Sequence, residues 1–232
     1  MKLFWMLFQN EEEILFAPVQ DGAQGNNNEM PGDFKYEDVN GDGVIDGNDI
    51  TPNMYNETPR TNFGLSLSGS WKGFDLNILL QGAANFTVRY THAYTTMFWG
   101  EGNIPAYFMD RWHKADSYNP ESEWLPGEWP AVRIREIKQI GMLYAESSAW
   151  RRDASYLRIK NVELGYTFNQ DFIGKAGIDN VRLFANVNNL YTFADPFVKP
   201  FDPESSARTG GYSTGWSYPL LKTFNFGVDI NF

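Results

Sequence analysis

Hydrophobic and polar residues alternate along several stretches of this 232-residue chain. The cleanest is 223–232, where Phe224, Phe226, Val228, Ile230 and Phe232 share one face and Thr223, Asn225, Gly227, Asp229 and Asn231 share the other. A period of two is that of a strand with one apolar and one wet side. The length matches a tilted β-strand crossing a bilayer (roughly 9–11 residues), and an aromatic at each end of the apolar face suits the two interfacial girdles. Taken alone, the stretch could equally be the edge of a soluble β-sandwich. Five further strands follow from the pattern. Segments 63–71 and 74–80, separated only by Lys72-Gly73, predict a two-residue hairpin. Phe63, Leu65, Leu67 and Trp71 share a face of the first, and Phe74, Leu76, Ile78 and Leu80 a face of the second. Segment 181–193 puts Val181, Leu183, Ala185, Val187, Tyr191 and Phe193 opposite Arg182, Asn186, Asn188 and Thr192. In 156–168 the apolar phase slips, because Leu157 and Ile159 are odd whereas Val162, Leu164, Tyr166 and Phe168 are even. A bulge near Lys160-Asn161, or a wet upper half, accounts for the slip. Segment 3–8 is the sixth strand, short and apolar on both faces.

The links between these strands alternate in length: 9–61, 72–73, 85–154, 169–180 and 194–222. Short and long links then fall on opposite sides of a sheet. Outer-membrane barrels show this asymmetry, with short periplasmic turns and longer extracellular loops, whereas a soluble sandwich has no reason for it. The expected fold is all-β: six or so antiparallel strands of a transmembrane β-barrel over 1–232, with long extracellular loops and Phe232 at the periplasmic end. Six strands cannot close such a barrel, since single-chain bacterial barrels start at about eight and an open edge in lipid strands backbone groups unpaired. The N-terminal Met1-Lys2-Leu3-Phe4 run lacks the cleavage region of a secretion signal. The sequence is therefore expected to be a portion of a longer protein, the earlier strands preceding it. No window approaches the roughly 18 apolar residues of a membrane helix.

Composition narrows the functional classes. With a formal charge of −10 and 19 scattered basic residues, phosphate binding has no platform, and a nucleic-acid partner is excluded. The absence of cysteine removes disulfides and thiolate metal sites. The only histidines are His92 and His113, and no Gly-x-Ser-x-Gly elbow occurs, so no enzyme activity is expected. Glu121, Glu123 and Glu128 are loop acids whose separation the sequence does not define.

The sharpest local motif is 38–49, which fits the twelve-residue calcium loop. Asp38, Asn40, Asp42, the Val44 carbonyl, Asp46 and Asp49 take the ligand positions and Gly43 the turn. A hard cation such as Ca²⁺ takes six to eight oxygens, which this set supplies. Asp49 stands where Glu is usual and has a shorter reach. An acidic surface turn without metal is the competing reading. Pro52 precludes a long exit helix, so the expected role is to staple a long loop within the extracellular region. A soluble dockerin-like calcium-binding adhesion module is the alternative for the whole chain, although it needs a second such loop.

Aromatic residues crowd the loop after Leu80. Tyr94, Trp99, Trp112 and Trp124 are candidates for stacking on a substrate, and the competing reading is that such rings form the loop's own core. A short helix is expected near 104–112, after Pro105. Trp150-Arg151-Arg152-Asp153 is a solvated loop edge or ion pair by default, and an anion site otherwise.

With these segments in place, the chain resembles the C-terminal part of the SusC/RagA family of TonB-dependent outer-membrane transporters. The resemblance is carried by Leu7-Phe8-Gln9-Asn10-Glu11-Glu12-Glu13-Ile14, by Pro31-Gly32-Asp33-Phe34-Lys35-Tyr36 leading into Asp38-Val39-Asn40-Gly41-Asp42-Gly43, and by Ser70-Trp71-Lys72-Gly73-Phe74-Asp75-Leu76. It continues in Arg152-Asp153-Ala154-Ser155-Tyr156-Leu157-Arg158, Asn188-Asn189-Leu190-Tyr191-Thr192-Phe193 and Pro219-Leu220-Leu221-Lys222-Thr223-Phe224. It implies a 22-stranded barrel in the parent family with an N-terminal plug, energised by the TonB complex and lidded by a SusD-like surface lipoprotein. It also implies location in the outer membrane of a Gram-negative bacterium, in contact with outer-membrane lipid, and import of an oligosaccharide or peptide substrate. Phe224, Phe226, Val228, Ile230 and Phe232 resemble the terminal signal that barrel-assembly machinery reads.

Overall fold

The computed structural model describes residues 4–20, 25–52, 55–90, 95, 103–132, 147–168, 177–204, 208–209, 212–213 and 219–232. It divides into two compact units, one formed by 1–54, 89–152 and 207–216, the other by 55–88, 153–206 and 217–232.

The second unit is a five-stranded antiparallel sheet whose strands lie side by side in chain order. They are β1 (Thr61–Trp71), β2 (Phe74–Ala84), β3 (Tyr156–Phe168), β4 (Asn180–Ala194) and β5 (Thr223–Asn231). β1 and β2 pair without a break from Trp71–Phe74 to Thr61–Ala84. Their turn residues Lys72 and Gly73 have φ of +49° and +88°, the two positive values of a type I′ turn, which twists with its flanking strands. The slip of apolar phase in β3 has a physical origin. Leu79 pairs with Asn161 and Leu80 with Ile159, so Lys160 is an extra residue, and the bulge returns Ile159 to the face occupied by Val162. Against β4 the register also shifts here, Asn188 facing Asn161 and Tyr191 facing Ile159.

One expectation fails. Segment 3–8 is not a sixth strand of this sheet: Phe4–Leu7 pairs with Phe34–Tyr36 in a separate two-stranded ladder, and Leu3 lies outside the described residues. The cause is in its composition. A strand apolar on both faces has no wet side to offer, and Leu7 and Phe8 are buried.

The first unit has its own core. The six-residue helix α1 (Glu11–Phe16) is capped by Asn10, whose side chain accepts the Glu13 N–H, and it buries Ile14. The Pro31-Gly32-Asp33 corner joins three stretches of chain: Gly32 N–H donates to the Phe8 carbonyl, Phe8 N–H to that of Asp33, and Ala131 N–H to that of Gly32. A side chain at Gly32 (φ +88°) would lie 2.4 Å from Trp112 Cβ, so the corner requires glycine both for conformation and for space. Around it Trp150 stacks on Trp129 (5.6 Å between centroids, 21°), with Phe34 and Phe108 edge-on or tilted at 5.9 and 6.1 Å. The helix expected near 104–112 is a 3-10 turn, Ala106–Met109, following Pro105.

Candidate functional site

The two faces of the sheet differ in kind. On one, Leu65 lies opposite Leu80, Leu67 opposite Ile78, Ile78 opposite Val162, Val162 opposite Val187 and Val187 opposite Phe224. An unbroken apolar row thus crosses all five strands. Further rows run through Leu76, Leu164, Ala185 and Phe226 and through Phe74, Tyr166, Leu183 and Val228. These side chains are not covered: Leu65 is 50% exposed, Leu164 51%, Phe226 83% and Phe232 85%. A continuous apolar area of this extent far exceeds the isolated exposed residues normal for a soluble surface. Phe224, Phe226, Val228, Ile230 and Phe232 all lie exposed on β5 or just beyond it.

The opposite face is polar and internally bonded. Asn161 pairs with Asn188 (2.9 Å), Asn225 with Asn186 (2.8 Å) and Asn231 with Asn180 (2.7 Å). Arg182 holds Asp75 through two nitrogens (2.6 and 3.0 Å), Glu163 at 2.7 Å and Asp229 at 3.5 Å. Gly165 makes the first pair possible, since a Cβ there would fall 2.5 Å from Asp75 Oδ1 and 2.6 Å from Arg182 Nη2. At the other end of the sheet, 202–204 folds over this face. Arg158, 3% exposed, donates to Thr192 (2.8 Å), to Asp202 and to Glu204 (2.7 Å). Glu204 also accepts from Lys160 (2.8 Å) and Gln81 (3.3 Å). Asp202, itself at φ +55°, accepts the N–H groups of Glu204 (3.0 Å) and Leu220 (2.8 Å). Burial opposes its ionisation, but the Arg158 guanidinium and these two N–H donors outweigh it and hold the carboxyl below its ordinary range. The sequence marks none of this cluster. Its ion-paired residues are 44 positions apart or more, beyond the reach of any local spacing.

The 38–49 loop is formed with the expected turns, Gly41 and Gly43 having φ of +76° and +83°. Its side-chain oxygens serve its own backbone. Asp38 accepts from Gly41 and Gly43 N–H, Asn40 from Asp42, and Asp42 from Val44. Asp46 caps the 3-10 turn Gly47–Asp49. Asp49, fully buried, clasps the loop ends by accepting from Val39 (2.9 Å) and Asp46 (2.7 Å). Among the described residues no group of three or more acidic or histidine side chains converges as a metal site.

The aromatic candidates separate. Trp112 is buried against Gly32 and Ala131, so it is core and has no face to offer a ligand. Trp124 is half-buried in a small hairpin, His113–Lys114 with Trp124–Leu125, and carries Lys114 Nζ 5.1 Å from its ring centre. Tyr94 and Trp99 lie outside the described residues. Trp150, expected at a solvated loop edge, is instead 1% exposed in the aromatic core, and Arg152 donates to the Ala149 and Arg151 carbonyls.

An antiparallel sheet in simple chain order, apolar and bare on one face, hydrogen-bonded and polar on the other, is the construction of a transmembrane β-barrel wall. Known proteins of that class are similar to this chain. TonB-dependent receptor P3 of Formosa agariphila is 29% identical over 213 residues, which are 87% of this chain and 19% of the relative. TonB-dependent receptor P26 of the same organism is 28% identical over 236 residues, 97% of this chain and 21% of the relative. The chain thus spans about a fifth of the length of the curated relatives it matches. A solved structure of the RagAB peptide transporter superposes with a TM-score of 0.58 at 22% identity, covering 86% of this chain and 21% of that one. The RagAB peptide importer in its open-open state gives 0.52 at 24%, covering 77% and 18%. No family model matches the chain. The chain's curated homologues are TonB-dependent receptors, and its fold is that of part of a TonB-dependent transporter barrel.

Proposed function

We propose that this chain forms part of the wall of a TonB-dependent outer-membrane transporter that imports oligosaccharides or peptides in a Gram-negative bacterium. The observation that carries the reading is the sheet itself, whose bare apolar rows suit lipid and whose asparagine and ion-pair ladders suit a polar barrel interior. A SusD-like surface lipoprotein is the proposed partner, consistent with the two-component RagAB neighbours, and the TonB complex acts through a plug. Nothing supports the dockerin-like alternative: it leaves the apolar face without an occupant, and the curated relatives are receptors. No enzymatic role is assigned. The test is fractionation of cells producing the full-length protein that contains this segment. It should co-sediment with the outer membrane and shift its electrophoretic mobility on boiling, and its deletion should abolish uptake of one labelled class, oligosaccharide or peptide. A protein recovered in the soluble fraction would refute the reading.

A structural calcium ion at 38–49 remains part of the proposal, with Asp38, Asn40, Asp42, the Val44 carbonyl, Asp46 and Asp49 as the oxygens that would hold it. What supports this is the twelve-residue spacing with Gly43 at its turn and the lone pairs that these oxygens keep beyond the backbone N–H groups they accept. Added Ca²⁺ should raise the thermal stability of the intact protein and leave the Asp42→Ala variant unmoved; an equal response of both removes the metal from the proposal.

A further inference from the structure

In the barrel reading on which this inference rests, the polar face of the sheet lines the lumen, and one stretch of chain lies across it. The long connections leave the sheet at the end opposite the Lys72-Gly73 turn, since β2 ends at Ala84, β3 begins at Tyr156, β4 ends at Ala194 and β5 begins at Thr223. From that rim the segment after β4 turns back. Lys199 reaches Tyr191 on the apolar side, its Nζ 3.9 Å from the ring centre, and Val198 is buried. Within the next residues the chain has crossed to the polar side, where Asp202 and Glu204 meet Arg158 and Lys160. Two carboxylates against two cations make a charge-balanced contact. Gln81 on β2, Arg158 and Lys160 on β3 and Thr192 on β4 all join it directly or through Arg158. Asp202 also ties down the far part of the same connection through the Leu220 N–H. The bulge at Lys160 brings a second cation to the same carboxylate, which regular alternation would have turned toward the lipid side.

We infer that 195–204 is a strap latched across the lumen side of the barrel wall by Asp202 and Glu204 on Arg158 and Lys160, so that releasing the latch opens the polar face below it to solutes from the loop end. The contact lies on a connection and not within the ladder, so the strand-to-strand pairing of β2, β3 and β4 does not depend on it.

The chain has no cysteine of its own, which allows a direct test in the full-length protein assembled in the outer membrane. A reporter cysteine is placed by Asn77→Cys, on the polar face of β2 and toward the turn end from Gln81. A membrane-impermeant maleimide is then added to intact cells. Adding Asp202→Asn and Glu204→Gln, which alter only the connection and leave the strands intact, should raise the labelling rate several-fold. Exchanging the acids by Asp202→Glu with Glu204→Asp, which keeps two carboxylates opposite Arg158 and Lys160, should hold the rate near that of the native protein. Equal labelling in the released and native forms overturns the strap. Failure of the parent protein to appear as a heat-modifiable outer-membrane species would instead overturn the transporter reading, so the two failures are distinguishable.

Discussion

At the scale of single residues, burial decides what an aromatic or acidic side chain can do. Trp112 and Trp124 look alike in sequence, but the first is 5% exposed and sits on Gly32 whereas the second is half-buried beneath Lys114. Trp112→Ala should therefore destabilise its unit by about 3–5 kcal/mol, the range for deleting a large core side chain. Trp124→Ala should lose only the cation–π contact, about 0.5–1 kcal/mol at an exposed site. Limited proteolysis of the two variants under rising denaturant separates these outcomes. The acid Asp202 makes a second prediction. Its carboxyl is held below the ordinary range, so ionised Asp202 stabilises the strap at neutral pH. That contribution is complete above the unfolded carboxyl value of about 3.9 and fades as pH falls through the lower folded value. Glu204, Lys160 and Arg158 are the other charged groups of the cluster. Protease nicking within 195–222 should thus rise only in strongly acidic buffer, and Asp202→Asn should be nicked at neutral pH as well.

At the scale of elements, the two faces of β5 predict opposite responses to neighbouring substitutions. Phe226 is 83% exposed on the apolar face, and a lysine there should cost about 2–4 kcal/mol if the residue lies near the middle of the bilayer, as its position midway along the strand implies. Asn225, one residue away, makes a single side-chain bond to Asn186, so Asn225→Ala should cost about 1 kcal/mol. Folding of the full-length protein into lipid vesicles, followed by denaturant titration, measures both. This asymmetry is legible in the sequence because period-two alternation is a local property, and the slip of apolar phase within 156–168 marks both that strand and its bulge. What could not be read was pairing at a distance. Segment 3–8 has strand composition, yet its partner Phe34–Tyr36 and the core that buries Phe8 are set by residues more than twenty positions away. Arg158 likewise gives no local sign of Asp202. The 38–49 motif shows the converse: its backbone turns follow from glycine spacing, but the sequence does not reveal that Asp49 spends both oxygens on the loop's own N–H groups.

At the scale of the whole molecule, the decisive features are the two outer strands. β1 and β5 each pair with only one strand of the sheet among the described residues, and all eleven residues of β1 and eight of the nine of β5 are exposed. In water such edges template association, and in lipid their unpaired N–H and C=O groups cost several kcal/mol each. The apolar face adds a second drive to the same end, since its side chains are exposed among the described residues. Five strands are also fewer than any closed single-chain bacterial barrel. The 232-residue chain produced alone should consequently fail to give a compact, heat-modifiable species in detergent or vesicles and should aggregate through its edges. Supplying the remaining barrel strands on a second polypeptide tests the cause, because β1 and β5 can pair only with strands of matching apolar phase. Co-folding should suppress aggregation and restore the mobility shift on boiling. Proline substitutions at alternate positions of β5, which remove ladder donors without adding charge, should abolish the rescue. If co-folding changes nothing, the open edges are not what keeps this segment from standing alone.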